Sequence, residues 1–280
     1  MAREAVGTLP DGSPVPMSPA PQITGQAQPE ELPRMSLIHH LEELRKRILW
    51  SLAFAALAFF PCFWKVDLIL AFLQKPITAI LPPGKKLAYM GITDPIILYF
   101  KVAGLAALFV SSPFLLYQLW RFISPGLYRR ERRYVLPFIF FGTLFFLAGG
   151  AFAYKIAFPY AARFLIDVGA QFEPVLTIER YFGFEMKVIL GLGLIFEMPI
   201  VIFTVCEIGL VTPGFLIKHF RYAVLIIFII AAIVAPTPDI FNMCVMAMPM
   251  LGLYLLGVGA AALSQVVRRR RLAGEAATSA

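Results

Sequence analysis

The sequence predicts an all-α integral membrane protein with six transmembrane helices. Of its 280 residues, 59% are hydrophobic, and the mean hydropathy is +0.77, which exceeds the roughly half-apolar composition of a soluble domain. Several apolar stretches approach the length of about 20 residues that a membrane-spanning helix needs. The Lys and Arg residues behind the net charge of +8 lie in short clusters between these stretches. That pattern sets membrane topology and does not favour a nucleic-acid-binding surface.

The chain begins with a polar segment. Residues 1–34 are rich in proline and lack the apolar core of a cleavable signal peptide. We therefore predict a disordered cytoplasmic tail over these residues. Ordered structure is expected to begin near Ser36, which is a favourable residue type for capping a helix that leads into the first span. The membrane domain then covers residues 35–264, and a second, basic cytoplasmic tail covers residues 265–280.

Six apolar stretches are the predicted spans, and the last two are weaker than the others. The fifth has fifteen residues, or about 22 Å of helix, which is short of a hydrocarbon core of about 30 Å. The sixth is interrupted by Pro249, and a four-residue link joins the pair into a tight hairpin of short spans. The predicted spans are residues 47–64, 94–120, 134–157, 184–209, 222–236 and 240–264.

Prolines inside the spans predict kinks. Pro113, Pro137, Pro199 and Pro249 each remove a backbone donor from an apolar stretch. Kinked helices leave concave surfaces between them, so we expect a groove in the bundle, with the short hairpin as one of its walls.

The distribution of cations predicts the orientation of the chain. With six spans, both termini lie on one side of the membrane, and that side collects more Lys and Arg than the other. Because short cytoplasmic loops are enriched in these residues, we predict that both termini are cytoplasmic. The two outer loops, residues 65–93 and 158–181, contain amphipathic pieces such as residues 66–73 that are expected to lie on the membrane surface. The cytoplasmic clusters are Arg34, Arg45–Arg47, Arg121, Arg129, Arg130, Arg132, Arg133, Lys218, Arg221 and Arg268–Arg271.

Motifs for catalysis or cofactor binding are not found. The chain has no phosphate-binding loop, nucleophile elbow, zinc-protease motif or dinucleotide turn, so we expect neither an enzyme nor a cofactor. His39 and His40 are adjacent and diverge on a helix, which is unfavourable for a shared metal. The three cysteines are far apart in apolar stretches and are expected to be packing residues. Energy for any transport would then come from an ion gradient or a partner.

Three acidic residues are candidates for function. Glu43 precedes the first span, where the alternative is a helix pair with Arg47 worth a few tenths of a kcal/mol. Glu131 is the one acid in a loop of arginines, where a solvated charge is the alternative. Glu197 lies in the middle of an apolar run, where a charge costs about 3 kcal/mol or more, so we expect it to be protonated or bonded to another span.

Other polar residues in the spans receive simpler interpretations. Lys101, Glu185 and Lys187 lie within about two turns of predicted span ends, from which they are expected to extend toward the headgroups. Asp239, in the outer hairpin turn, is expected to cap the last helix.

Three rival functions can be weighed on residues alone. A secondary transporter with Glu197 as its ion site predicts inverted repeats and a second buried charge, and neither is evident. An intramembrane enzyme lacks a histidine at membrane depth beside Ser111, Ser112 or Cys244. A purely structural subunit would not need acids at the cytoplasmic ends of the spans, but the residues alone leave this third function open.

Blocks of residues from Ser36 to about Ser264 resemble the TatC family, in the same order along the chain. The blocks are His40-Leu41-x-Glu43-Leu44-Arg45-x-Arg47 before span one, Pro113-x-x-x-Tyr117-Gln118-x-Trp120-x-Phe122-x-x-Pro125-Gly126-Leu127-Tyr128-x-x-Glu131-Arg132 after span two, Phe196-Glu197-x-Pro199 in span four, and Pro236-Thr237-Pro238-Asp239 followed by Ala247-Met248-Pro249-x-x-x-Leu253-Tyr254 around the last hairpin. The block after span two is the most specific of these.

The resemblance implies a receptor for twin-arginine signal peptides in the inner membrane of a prokaryote. Its implied binding residues are Glu43, Glu131, Arg45, Arg129, Phe122, Leu127 and Tyr128. It also implies a structural turn at Pro125 and Gly126 and polar contacts within the membrane at Glu197 and Gln118. Two carboxylates on separate segments suit an arginine pair, because guanidinium forms paired hydrogen bonds that lysine does not.

The resemblance also implies partners and an energy source. These are single-span TatA-like and TatB-like subunits at the last hairpin or near Glu197, other copies of the chain, and the proton-motive force. The chain departs from the family at Leu255, where an acid often stands.

Overall fold

A computed structural model describes residues 37–78, 87–123, 135–172, 175–235 and 239–278, with side chains from Leu41 to Val267. Among the described residues, those up to Leu41 form only the start of one helix, and those from Glu42 onward belong to one compact unit. Within the described ranges the protein is helical apart from turns and a single β-bridge, which confirms the predicted all-α fold.

Eleven helices are described, and one of them continues through a π-helical turn. In chain order they are α1 (Leu37–Trp64), α2 (Val66–Leu73), α3 (Lys75–Thr78), α4 (Asp94–Ile123), α5 (Val135–Phe152), the π segment (Ala153–Ala157), α6 (Phe158–Val168), α7 (Ile178–Ile195), α8 (Met198–Glu207), α9 (Pro213–Lys218), α10 (Phe220–Val234) and α11 (Ile240–Thr278).

Five described segments are long and apolar enough to cross a membrane: Leu41–Trp64, Asp94–Ile123, Val135–Val168, Ile178–Glu207 and Ile240–Val267. The remaining apolar helix, α10, has the fifteen residues expected of a short fifth span. The expectation that the sixth span is also short was wrong, because Ile240–Val267 has 28 residues and its helix continues through Pro249. Several helices run past the predicted span ends, because a helix does not have to stop where its apolar stretch stops. The membrane side of each terminus stays a prediction.

The prolines act in two ways. Pro61, Pro113 and Pro249 lie inside helices. Pro199 is the second residue of α8, just after a break at Phe196 and Glu197 that separates α7 from α8, because proline has no N–H and its ring clashes with the preceding turn. The expectation for Pro137 was wrong. It is the third residue of α5, where a backbone N–H has no partner within the helix and its loss breaks no bond.

Threonine and aspartate side chains begin three of the helices. Thr177 and Thr212 cap α7 and α9 by accepting hydrogen bonds from the backbone N–H groups of Arg180 and Phe215. Asp239 accepts a 2.8 Å hydrogen bond from the backbone N–H of Asn242 and so caps α11, as the sequence predicts.

One end of the bundle, here named the cap side, is closed by α2, α3, residues 87–93 and residues 175–177. Ala88 pairs with the segment before α7, donating to the Leu176 carbonyl at 2.9 Å and accepting from the Ile178 N–H at 2.8 Å. The Tyr154 hydroxyl donates to the Phe72 carbonyl at 2.6 Å. The sequence-predicted amphipathic piece is therefore helical and is anchored to the bundle.

Glycines allow close helix crossings within the bundle. A Cβ atom at Gly149 in α5 would lie 2.7 Å from the Leu192 carbonyl oxygen of α7, and one at Gly257 in α11 would lie 2.8 Å from Pro199 Cα of α8. Small residues at such crossings let helix backbones approach each other, as is common in membrane bundles. The spans are thus held together by backbone proximity as well as by side-chain packing.

Candidate functional site

A polar cluster lies at the end of the bundle opposite the cap side, and we name it the mouth cluster. It consists of Glu43 and Arg47 near the start of α1 and Gln118 near the end of α4. One terminal nitrogen of Arg47, Nη2, donates to Glu43 Oε1 at 2.9 Å, and the other, Nη1, donates to Gln118 Oε1 at 3.3 Å. The guanidinium therefore joins α1 to α4 through two residues, Arg47 and Gln118, that are 71 positions apart in sequence.

The spacing of Glu43 and Arg47 along α1 explains why these two members of the mouth cluster meet. Glu43 and Arg47 are four residues apart, so they lie on the same face of α1. Their side chains are only 16% and 15% exposed, and the Arg47 Nε atom is buried with no hydrogen bond among the described residues. Glu43 and Arg47 therefore form the helix pair that the sequence offers as the alternative to a functional role for Glu43. Its partial burial makes the interaction stronger than that of a fully solvated pair.

Arg45 does not share this site. It lies two residues from both Glu43 and Arg47, or about 200° around the helix, and its side chain is exposed. It lines a shallow recess of about 530 Å³ along α1. The family resemblance placed Arg45 in the same binding site as Glu43, whereas the structure places the two side chains on different faces of α1. The other residues along this recess are Glu42, Lys46, Leu49, Trp50 and Ala53.

The rest of the predicted signal-peptide site is only partly described. Phe122 lies in the last turn of α4, half-buried, one turn beyond Gln118. The other predicted residues, including the second acid, lie outside the described residues. These are Pro125, Gly126, Leu127, Tyr128, Arg129 and Glu131.

Glu197 occupies the break between α7 and α8. Both of its carboxyl oxygens are buried and form no hydrogen bond with the described residues. A Cβ atom at Gly142 in α5 would lie 3.3 Å from Glu197 Oε2 and 2.9 Å from a methyl group of Leu116 in α4. The carboxyl group is therefore enclosed where α4, α5 and α8 meet. Of the two expected alternatives, protonation or a hydrogen bond to another span, the hydrogen bond is not formed within the described chain.

Glu185 is a functional candidate that the sequence interpretation missed. It was expected to extend toward the headgroups, but its side chain is 0% exposed, and both oxygens are buried without a hydrogen bond among the described residues. Lys101, in contrast, is 45% exposed and lies 3.8 Å from Glu179, which fits the snorkelling interpretation. Glu185 shares its helix face with Tyr181, Val188 and Leu192, and this apolar period was a signal available in the sequence.

The metal-ligating side chains of the described residues do not form a cluster. The described residues contain no group of three or more His, Cys, Asp or Glu side chains that could hold a metal ion. Cys62 and Cys206 are buried and Cys244 is half-buried, and all three are free.

Comparison with known proteins gives a consistent family. The sequence model of the Sec-independent protein translocase protein (TatC) family matches residues 39–249. The TatC protein of Koribacter versatilis is 47% identical over 254 residues, covering 90% of this chain and 94% of that protein. The TatC protein of Campylobacter jejuni is 40% identical, covering 78% and 90%, and TatCy of Bacillus subtilis is 36% identical, covering 80% and 88%.

Solved structures agree with the sequence relatives. A crystal structure described as the twin arginine translocase receptor TatC in DDM matches with a TM-score of 0.69 at 32% identity, covering 79% of this chain and 99% of that one. A second crystal structure of the same receptor matches with a TM-score of 0.67 at 32% identity, covering 81% and 99%. These matches do not favour the alternative of a secondary transporter. With its apolar spans and these relatives, the chain belongs to the TatC family of Sec-independent protein translocase proteins.

Proposed function

We propose that this translocase subunit binds twin-arginine signal peptides at the mouth cluster. The observation that carries the proposal is the contact between Glu43 and Arg47, in which a carboxylate at a helix start already holds a guanidinium group at 2.9 Å. The site is thus compatible with arginine in charge and shape. The name of the matching crystal structures, a twin arginine receptor, supports the same function.

The chemistry of the site favours arginine over lysine. A carboxylate binds a guanidinium through two parallel hydrogen bonds, whereas lysine offers a single ammonium group without that planar fork. Arg47 uses only one oxygen of Glu43, and a carboxylate has room for about four hydrogen bonds. An incoming arginine that takes both oxygens competes with Arg47 for Oε1.

A second carboxylate is required for the second arginine of the signal, and Glu131 is our proposal for it. It follows α4, the helix that carries Gln118 and Phe122, so its segment begins at the same end of the bundle as the mouth cluster. Arg129, Leu127, Tyr128 and Phe122 complete the proposed site, with Pro125 and Gly126 shaping the turn. In this arrangement both termini are cytoplasmic, and the protein lies in the inner membrane.

The remaining parts of the proposed function concern assembly and energy. We assign the docking of TatA-like and TatB-like subunits to the hairpin of α10 and α11 and to the region of Glu197. Exposed apolar side chains along α10, such as Leu225, Ile229 and Ile233, support this assignment, since a single-span partner can cover them within the membrane. The proton-motive force is the proposed energy source, and no nucleotide-binding motif is present in the sequence.

The proposed binding site can be tested by photocrosslinking a twin-arginine signal peptide to membranes that contain the protein. Glu43→Gln keeps the side-chain shape and removes the charge, and Glu131→Gln does the same at the second position. Glu42→Gln is the matched control, since it is the adjacent acid on an exposed face of α1. We expect crosslinking to fall in the first two variants and not in the control, and a Lys-Lys peptide to crosslink poorly throughout. Crosslinking that ignores both acids would reject the site.

A further inference from the structure

The buried carboxyl group of Glu185 has no role in the function described above. It is the eighth residue of α7, about two turns from the start of the helix, and it lies towards the cap side because α7 begins next to the bridge between Ala88 and Thr177. Its side chain is 0% exposed, and neither oxygen has a hydrogen-bond partner among the described residues. An ionised carboxylate in such a place, without donor or cation, costs many kcal/mol.

The charged groups on neighbouring helices do not neutralise Glu185. In α4, Asp94 accepts from the backbone N–H groups of Met90 and Gly91, and Lys101 pairs with Glu179. Helix α5 has no titratable side chain. The charged side chains of the π segment, α6 and α10 that are described are all exposed, as is Lys187 of α7 itself. These exposed groups are Lys155, Arg163, Asp167 and Arg221.

Two tyrosines lie on the helical segments around Glu185. Tyr181 lies one turn earlier on the same face of α7, and Tyr154 lies in the π segment, which packs on α7. Tyr154 also donates to the Phe72 carbonyl of the cap helix α2. The Tyr181 hydroxyl is buried and, like the Glu185 carboxyl group, has no hydrogen-bond partner among the described residues, in an otherwise apolar core.

The π segment gives independent support for a functional site. A π-helical turn is rare and occurs often at functional positions, where it widens the helix and redirects side chains. Here it extends over Ala153–Ala157 and carries Tyr154, one of the two tyrosines beside the buried acid.

We propose that Glu185 is a proton-binding site on the cap side of the bundle, and that it exchanges its proton with water at that side along the face of α7 that carries Tyr181. In each exchange one proton leaves the carboxyl oxygen and one returns, so the resting site stays neutral. Net loss of the proton would leave an unpaired charge in the core. Proton release therefore requires α7 to move away from its neighbours, which links proton occupancy to helix packing.

Infrared spectroscopy of the full-length protein in lipid vesicles tests this inference, and it needs no signal peptide. A protonated carboxyl group gives a carbonyl band that shifts when its proton is replaced by deuterium. We expect this band in the wild type, its loss in Glu185→Gln, and its persistence in Glu197→Gln, which removes the other carboxyl group that is buried without a hydrogen bond among the described residues. If the Gln variant does not fold, Glu185→Asp is expected to shift the band instead.

The exchange route has its own matched pair of variants. Transfer to deuterated buffer is expected to shift the Glu185 band in the wild type. Tyr181→Phe should slow this shift by about tenfold, equivalent to about 1.4 kcal/mol in the barrier, because it removes the buried hydroxyl group one turn from Glu185. Tyr160→Phe, which removes an exposed hydroxyl from α6, should leave the rate unchanged. The proposal is overturned if no band depends on Glu185, if the band never exchanges, or if both tyrosine variants exchange at the wild-type rate.

Discussion

Arg47 is predicted to compete with the signal peptide for Glu43. In the peptide-free protein its Nη2 atom lies 2.9 Å from Glu43 Oε1, with both side chains about five-sixths buried. A hydrogen bond to a charged group contributes about 1.5 to 3 kcal/mol, and remaining contact with solvent lowers this to about 1 to 2 kcal/mol. Arg47→Met keeps the aliphatic stem and removes the competitor. Since 1.4 kcal/mol corresponds to a tenfold change in affinity, we expect the twin-arginine peptide to bind about 5 to 30 times more tightly.

The assay is a titration of a fluorescent signal peptide into the purified protein, at low and high salt. Loss of any cation near the site also favours a cationic peptide, and Lys46→Met measures that general effect, because Lys46 is an exposed neighbour on a different face of α1. The general effect is screened by salt, whereas the competition for Glu43 is largely retained. A Lys-Lys peptide should gain less than the twin-arginine peptide in Arg47→Met. The reasoning is refuted if Arg47→Met weakens binding, because Arg47 would then position Glu43, or if it matches Lys46→Met at both salt concentrations.

Three further predictions concern the bundle. Gly149→Ala should lower the free energy of unfolding by about 1 to 3 kcal/mol through overpacking, because its Cβ would meet the Leu192 carbonyl oxygen at 2.7 Å. The control is Gly252→Ala, which has open space around it and should be neutral or stabilising. Thermal unfolding measures both variants. Asp239→Ala should cost about 0.5 to 2 kcal/mol in the same assay through loss of the α11 cap, while Asp239→Asn should keep most of that stability. Glu197→Leu should raise thermal stability, since it removes buried oxygens that have no hydrogen bond in the described chain, but it should reduce co-purification with TatA-like or TatB-like subunits. Equal co-purification with the wild type would contradict the proposed role of Glu197.

The features that the sequence predicted correctly are those that depend on neighbours along the chain. Apolar stretches predict spans because each span meets the lipid on its own. The cap at Asp239 and the pairing of Glu43 with Arg47 depend on residues three and four positions away. The short fifth span follows from the count of apolar residues between polar ends.

The features that the sequence left open depend on tertiary packing. Gln118 contacts Arg47 only because α4 returns beside α1, and nothing near either residue indicates that contact. Glu185 lies near the start of α7, and its distance from the span end suggested exposure. The orientation of its helix face decides its burial instead. Arg45 was grouped with Glu43 from the motif, although two residues along a helix place side chains on different faces.

The two buried acids share a structural property with a consequence for mechanism. Glu197 lies at the break between α7 and α8, and Glu185 lies beside the π segment, so each unpaired carboxyl group is next to an irregularity in a helix. A buried polar group without a partner costs about 1 to 3 kcal/mol, and a rearrangement that supplies a partner recovers that free energy. Helix irregularities are where such rearrangements disturb the fewest backbone hydrogen bonds. Among the described residues, an unpaired buried carboxyl group therefore coincides with a helix irregularity at both of these acids, which favours movement of α7 and α8.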